Sequence, residues 1–166
     1  MSTLRARVVG STIYAYQRVA RFTRVGRWPL TIGVRIVVRD GDERVLLVRH
    51  TYAPGWHFPG GAVDRRETAV DAAVRELREE TGYEGEKARP LASVFANPAI
   101  MSNTCHTVLV ENCSLRHAVQ WDSGEDMLTR LVPVAEVPGL VAEGKIKHPL
   151  VVVALYHFEL WMRRKE

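Results

Sequence analysis

Residues 61–83, GAVDRRETAVDAAVRELREETGY, decide how the rest of this chain is read. At about 100° per residue the spacing predicts a helix on which Val70, Ala73, Val74 and Leu77 share one apolar face. Glu76, Glu79 and Glu80 are also spaced i, i+3, i+4, so they gather on a different face, directly behind Arg75. Three carboxylates at that spacing repel one another by roughly 0.2–0.5 kcal/mol per pair, and nothing in folding asks for it. Oxygen donors clustered in this way suit a hard divalent cation such as magnesium, which binds carboxylates together with substrate phosphates. The ends of the stretch are punctuated as well. Thr68 with Asp71 reads as a capping box, and Gly82 reads as the C-terminal stop, where a positive φ costs glycine little. Gly60-Gly61 supplies a bendable turn upstream, and Glu67 lies between turn and helix.

These residues resemble the box of the Nudix hydrolases: Gly, five residues, Glu, seven residues, Arg-Glu, an aliphatic, any residue, Glu-Glu, any residue, Gly and an apolar residue. The positions fall on Gly61, Glu67, Arg75, Glu76, Leu77, Glu79, Glu80, Gly82 and Tyr83, and the one departure is the aromatic at the last place. Trp56-His57-Phe58-Pro59-Gly60-Gly61 extends the likeness, since family members commonly carry a tryptophan and a Pro-Gly-Gly just ahead of the box. The resemblance covers roughly residues 30–145 and implies an α/β fold, a Nudix-type α/β/α sandwich with a mixed β-sheet. It also implies a pyrophosphohydrolase that uses Mg2+ or Mn2+ to hydrolyse the diphosphate of a nucleoside diphosphate linked to another moiety, giving a nucleoside monophosphate and the phosphorylated moiety. On that likeness Glu76, Glu79 and Glu80 are metal ligands, Glu67 supports the metal shell, and Arg75 holds a glutamate or the loop in place. Gly61 and Gly82 are structural.

Outside the box the chain reads as one domain, 30–166, preceded by a basic extension, 1–29. Its 166 residues suffice for one real core. A composition of 46% hydrophobic and 25% charged residues is ordinary for a soluble protein. The net charge of +4 favours anionic substrates but falls short of a nucleic-acid footprint, so no stable nucleic-acid partner is expected. Cys105 and Cys113 read as reduced, buried thiols of a cytoplasmic protein, and no apolar run reaches membrane-spanning length. In the extension, Arg5, Arg7, Arg18, Arg21, Arg24 and Arg27 alternate with apolar residues, which predicts a helix over 11–23. That helix packs on the domain or on a second copy of the chain, in a homodimer, or lies on an anionic membrane surface.

From Leu30 the strand signals begin. LTIGVRIVVR (30–39) and RVLLVRH (44–50), separated by Asp40-Gly41-Asp42, form a hairpin pattern. Two further strands are expected over 91–96 and 104–111, and another over 128–134. Trp56 and Phe58, in a loop rich in proline and glycine, either join the core or line a substrate pocket. The loop 97–103 should be exposed and is a natural place for binding residues. In the ADP-ribose and nucleotide-sugar branch of the family a proline commonly lies sixteen places beyond the last box glycine, which is Pro98 here. That branch also carries an acidic loop before a late strand, and by the same likeness Glu125 is a candidate base beside Glu76. A helix is expected over 135–143, stopped by Gly144. Another runs from Pro149 to Arg163, with Val152, Leu155, Tyr156, Glu159 and Leu160 forming its stripe.

Three functions remain open on the sequence. The chain is a hydrolase of ADP-ribose or a nucleotide sugar; a Nudix hydrolase of nucleoside triphosphates, dinucleoside polyphosphates or capped RNA; or a non-catalytic nucleotide-binding module. The full carboxylate set argues against the last.

Overall fold

The structure is a computed structural model that describes residues 32–51, 53–98, 103–119 and 127–164. The predicted helix at 11–23 and the acidic loop with Glu125 lie outside the described residues. In chain order the elements are β1 (Ile32–Val38), β2 (Arg44–His50), α1 (Ala69–Thr81), β3 (Tyr83–Glu84), β4 (Lys87–Phe95), β5 (Thr104–Glu111), β6 (Ser114–Leu115) and β7 (Met127–Pro133). A 3-10 turn, Val134–Glu136, then leads into α2 (Val137–Ala142) and α3 (Pro149–Arg163).

β1, β5 and β4 form the central mixed sheet. β1 runs parallel to β5 from Ile32↔Thr104 to Val38↔Val110, and β4 runs antiparallel to β5 with an irregularity at Leu91. β2 pairs antiparallel with β7, and the two-residue strands β3 and β6 pair with each other. Alternation along β1 explains why its sequence is apolar almost throughout. Val34, Ile36 and Val38, with Val108 and Val110 of β5 and Leu46 of β2, pack against Ala72, Ala73 and Leu77 of α1. Val37, Leu109, Val45 and Leu47 face the other way, onto Val151, Ala154 and Phe158 of α3. Each such side chain contributes roughly 1.5–3 kcal/mol when fully buried, and the two layers make the α/β/α sandwich.

The hairpin expected of β1 and β2 does not form beyond its turn. Asp40 builds that turn by accepting the Asp42 and Arg44 amides at 3.0 and 2.9 Å, and Arg39 and Val45 make one bridge before the strands part. The edge of β1 that a hairpin partner would occupy is taken instead by the segment leading into α1. Val34 N donates to Gly61 O, Ile36 N to Pro59 O, and Val63 N to Ile32 O, each at 2.9 Å. The long-range pairing thus fastens the start of the box to the sheet.

Two helical faces also differ from the periodic expectation. On α1 the buried residues are Ala72, Ala73, Leu77 and Thr81, whereas Val74 is 42% exposed. On α3 the buried stripe is Val151, Ala154 and Phe158, while Val152 and Tyr156 face solvent. In both helices neighbouring stripes are similarly apolar, so sheet docking, not hydrophobicity alone, selects the face. Cys105 and Cys113 are free and buried, as expected, and burial pushes the Cys113 thiol up to about 12.

Candidate active site

α1 begins at Thr68, whose hydroxyl oxygen accepts the Asp71 amide at 3.1 Å and donates to the Asp71 carboxylate at 2.6 Å. The cap is therefore present, but the Asp71 carboxylate takes the hydroxyl proton instead of reaching back to the cap amide as in a full capping box. At the other end Gly82 adopts φ +71° and donates to Arg78 O at 2.9 Å. A Cβ there would stand 2.3 Å from His117 O, so the position needs glycine twice over.

Within this frame Arg75 is the hub. Its Nε and Nη2 donate to the two oxygens of Glu67, both at 3.0 Å, a bidentate pair between helix and loop. Nη1 donates to Glu76 Oε1 at 3.0 Å and to Glu79 Oε2 at 3.2 Å, and Nη2 also reaches Ala62 O at 3.2 Å. Glu67 receives the Asp64 amide as well, and these bonds, Arg75 first, hold its carboxyl below the usual range. The same partners raise the proton affinity of Arg75 further. Glu76 goes the other way: burial raises its pKa, and Arg75 only partly offsets the effect.

The loop is shaped to receive the helix. A Cβ on Gly61 would come within 2.2 Å of Glu76 Oε1, so the missing side chain is the space that the Glu76 carboxyl occupies. Gly60 donates its amide to Glu80 Oε2 at 3.0 Å. Glu67, Glu76, Glu79 and Glu80 are thereby brought to one corner, around the start of the box and one guanidinium. Among the described residues no three acidic, histidine or cysteine groups already converge in a metal-ligand arrangement. In chemistry the donor set fits a hard divalent cation, being made of carboxylate oxygens. Glu76 and Glu79 each share one oxygen with Arg75, and Glu80 shares one with the Gly60 amide.

The remaining candidates separate. Phe58 is 1% exposed and belongs to the core beneath α3, so its ring offers no face to a ligand. The physical reason is the bridge of His57 to Val48, which turns the next side chain inward. Trp56 is half-buried, packs on that same core, and carries the Arg49 guanidinium 5.3 Å from its ring centroid. Pro98 is exposed just past the end of β4, and Glu125 lies outside the described residues. Sequence reading did not single out Arg35, a lone arginine inside the otherwise apolar β1, nor the meeting of His57 with His50 and His148.

With this geometry in view, the comparisons with known proteins agree. The NUDIX domain model matches residues 29–152, and the chain belongs to the Nudix family. It is 43% identical over 152 aligned residues to an ADP-sugar pyrophosphatase of Mus musculus, covering 79% of this chain and 70% of that protein. It is 32% identical over 114 residues to a CMP-5'-(N-acetyl-N-hydroxy-3-aminopropyl)phosphonate hydrolase of Streptomyces rubellomurinus, covering 66% of this chain. The aligned part spans only about half of that relative, 55% of its length. A solved structure of an ADP compounds hydrolase superposes with a TM-score of 0.73 at 22% identity, covering 81% of this chain and 74% of the other, which supports the fold. Family members generally work with a divalent metal. No described helix is long and apolar enough to cross a membrane.

Proposed function

We propose that the chain is a magnesium-dependent pyrophosphohydrolase acting on a nucleoside diphosphate linked to another moiety, with ADP-ribose and nucleotide sugars as the substrate class. The observation that carries this is the gathering of Glu67, Glu76, Glu79 and Glu80 around Arg75 and the Gly60-Gly61 turn. The likeness to the mouse ADP-sugar pyrophosphatase supports the substrate class. Residues 30–166 form the hydrolase domain and 1–29 an extension to it, working in the cytoplasm.

Glu76, Glu79 and Glu80 would hold the cation, with Glu67 behind them. When bound, Mg2+ or Mn2+ supplies charge neutralisation on the diphosphate and makes an attacking water more acidic. The chain's own residues do the rest. Arg75 ties Glu67 to the helix, so the loop carboxylate and the helical carboxylates keep a fixed relation. The Gly60 amide aims Glu80 across the turn. Glu76 and Glu125 are the two candidates for the base that takes the proton of the water.

Glu80→Gln should lower kcat by about a hundredfold or more while the thermal midpoint changes little, since the amide oxygen can still accept from Gly60. A panel of ADP-ribose, nucleotide sugars, dinucleoside polyphosphates and nucleoside triphosphates, each with magnesium, tests the substrate class. Preference for triphosphates or dinucleoside polyphosphates would replace it. No turnover of any compound would leave the binding-module alternative.

A further inference from the structure

The face of the sheet that carries α3 is not apolar along its whole length. Val37 of β1 lies in the α3 core, but Arg35, two residues earlier on the same face, is charged and half-buried. Three histidines from three separate elements come together within its electrostatic reach: His50 at the end of β2, His57 in the loop before the box, and His148 at the start of α3. The His57 ring centroid lies 5.8 Å from that of His50 and 5.7 Å from that of His148. Arg35 is close enough to lower the proton affinity of all three, in addition to the larger effect of burial.

This group is poorly explained as structure. The Nε of Arg35 is buried and has no hydrogen-bond partner, an arrangement that is unfavourable for a charged group. Among the described residues its Nη1 donates only to neutral carbonyls, Gly60 O at 3.1 Å and Val34 O at 3.4 Å. It is equally poor as a cation site. A guanidinium sits beside the rings, and the Nδ1 lone pair of His148 is already used to accept the Leu150 amide at 3.2 Å. An anion fits, because the guanidinium fork is a donor matched to phosphate oxygens and His148, with its Nδ1 accepting, keeps its N–H on Nε2; His57 Nε2 already meets Pro54 O at 3.3 Å, so that ring borders the site without donating to it. Its place fits too. The Gly60 residue gives its amide to Glu80 and its carbonyl to Arg35, so one residue separates the acidic corner from the basic one.

We propose that Arg35, within electrostatic reach of the His50, His57 and His148 cluster, is an anion subsite that receives a phosphoryl group of the substrate on the side away from the carboxylates. Which phosphoryl group it takes rests on the hydrolase function proposed above; that it binds a phosphate oxyanion does not. The test uses the full chain in EDTA at about pH 7.5, where the rings are neutral, with histidine ring signals followed by NMR. Inorganic pyrophosphate and AMP should shift the rings of His50, His57 and His148 saturably, while adenosine and the distant His117 act as silent controls. Arg35→Gln should abolish the shifts, and Arg35→Lys should retain part of them. In turnover with magnesium, Arg35→Gln should raise KM by roughly tenfold or more with kcat nearly unchanged.

Unmoved rings in the wild-type chain would overturn the subsite whether or not the variants fold. So would equal shifts with adenosine, or a loss of kcat with unchanged KM, which would make Arg35 only a prop for Gly60. Pyrophosphate binding without turnover of any diphosphate would sink the hydrolase function and leave the subsite standing. Turnover with silent rings would do the reverse.

Discussion

Gly61 shows how much of the site hangs on single atoms. The Cβ of an alanine would collide with the end of a flexible side chain, Glu76, and not with backbone. Gly61→Ala should therefore keep the fold, with a thermal midpoint close to wild type, and lose metal affinity and turnover by about tenfold or more, because the displaced group is a carboxylate of the acidic corner. Gly60→Ala makes the contrast. Its Cβ would stand 2.1 Å from Val34 O at φ +152°, so that variant should fail in stability, as read by denaturant unfolding. Cysteine chemistry is also settled residue by residue. Cys105 and Cys113 are buried, and burial raises both thiols. A thiol reagent at about pH 8 should leave both unmodified in the native chain and react with both once it is denatured.

At the scale of the element, α1 is a helix whose ends are fixed independently of its face. Thr68→Ala removes the oxygen that accepts the Asp71 amide and should cost about 1 kcal/mol in chemical denaturation. Gly82→Ala forces φ +71° on a residue with a Cβ and drives that atom against His117 O, so it should cost more than about 2 kcal/mol. Both termini were legible in the sequence because caps are local: a hydroxyl, a carboxylate and a glycine act within a turn of where they stand. The buried stripe was not. Val70 and Val74 are as apolar as Ala72 and Ala73, yet Val74 faces solvent while the two alanines lie against β1 and β5. Small residues let the helix approach the sheet closely, and only the sheet makes that matter. The same holds for α3, where Tyr156 is 59% exposed and Phe158 is buried.

At the scale of the molecule, the three histidines tie β2, the loop before the box and α3 to one another, and so make stability depend on pH. Each has its proton affinity lowered below the ordinary 6.5, with burial the largest cause. The fold therefore favours the neutral rings, and the unfolded chain binds more protons below pH 6.5. Their contribution is present above 6.5 and is lost as the pH falls from there through the lowered folded values. Unfolding free energy should decline over that window, and His148→Gln should flatten the decline, as measured by urea melts across pH. The α3 layer itself is tested by Phe158→Ala, which empties a fully buried site beside Trp161 and should cost about 3–5 kcal/mol.

The sequence by itself determined the acidic corner, the caps of α1, the strand runs and the family, because those depend on residue types at short fixed spacings. Tertiary structure alone decided that β1 gives its free edge to the segment 59–63 and not to β2. It likewise decided that Phe58 is core, and that His57 meets His50 and His148. Those outcomes turn on pairing between residues far apart in the chain. No local spacing encodes which of several equally apolar edges and faces will be covered, since that choice is made by the burial and hydrogen bonding of the assembled sheet.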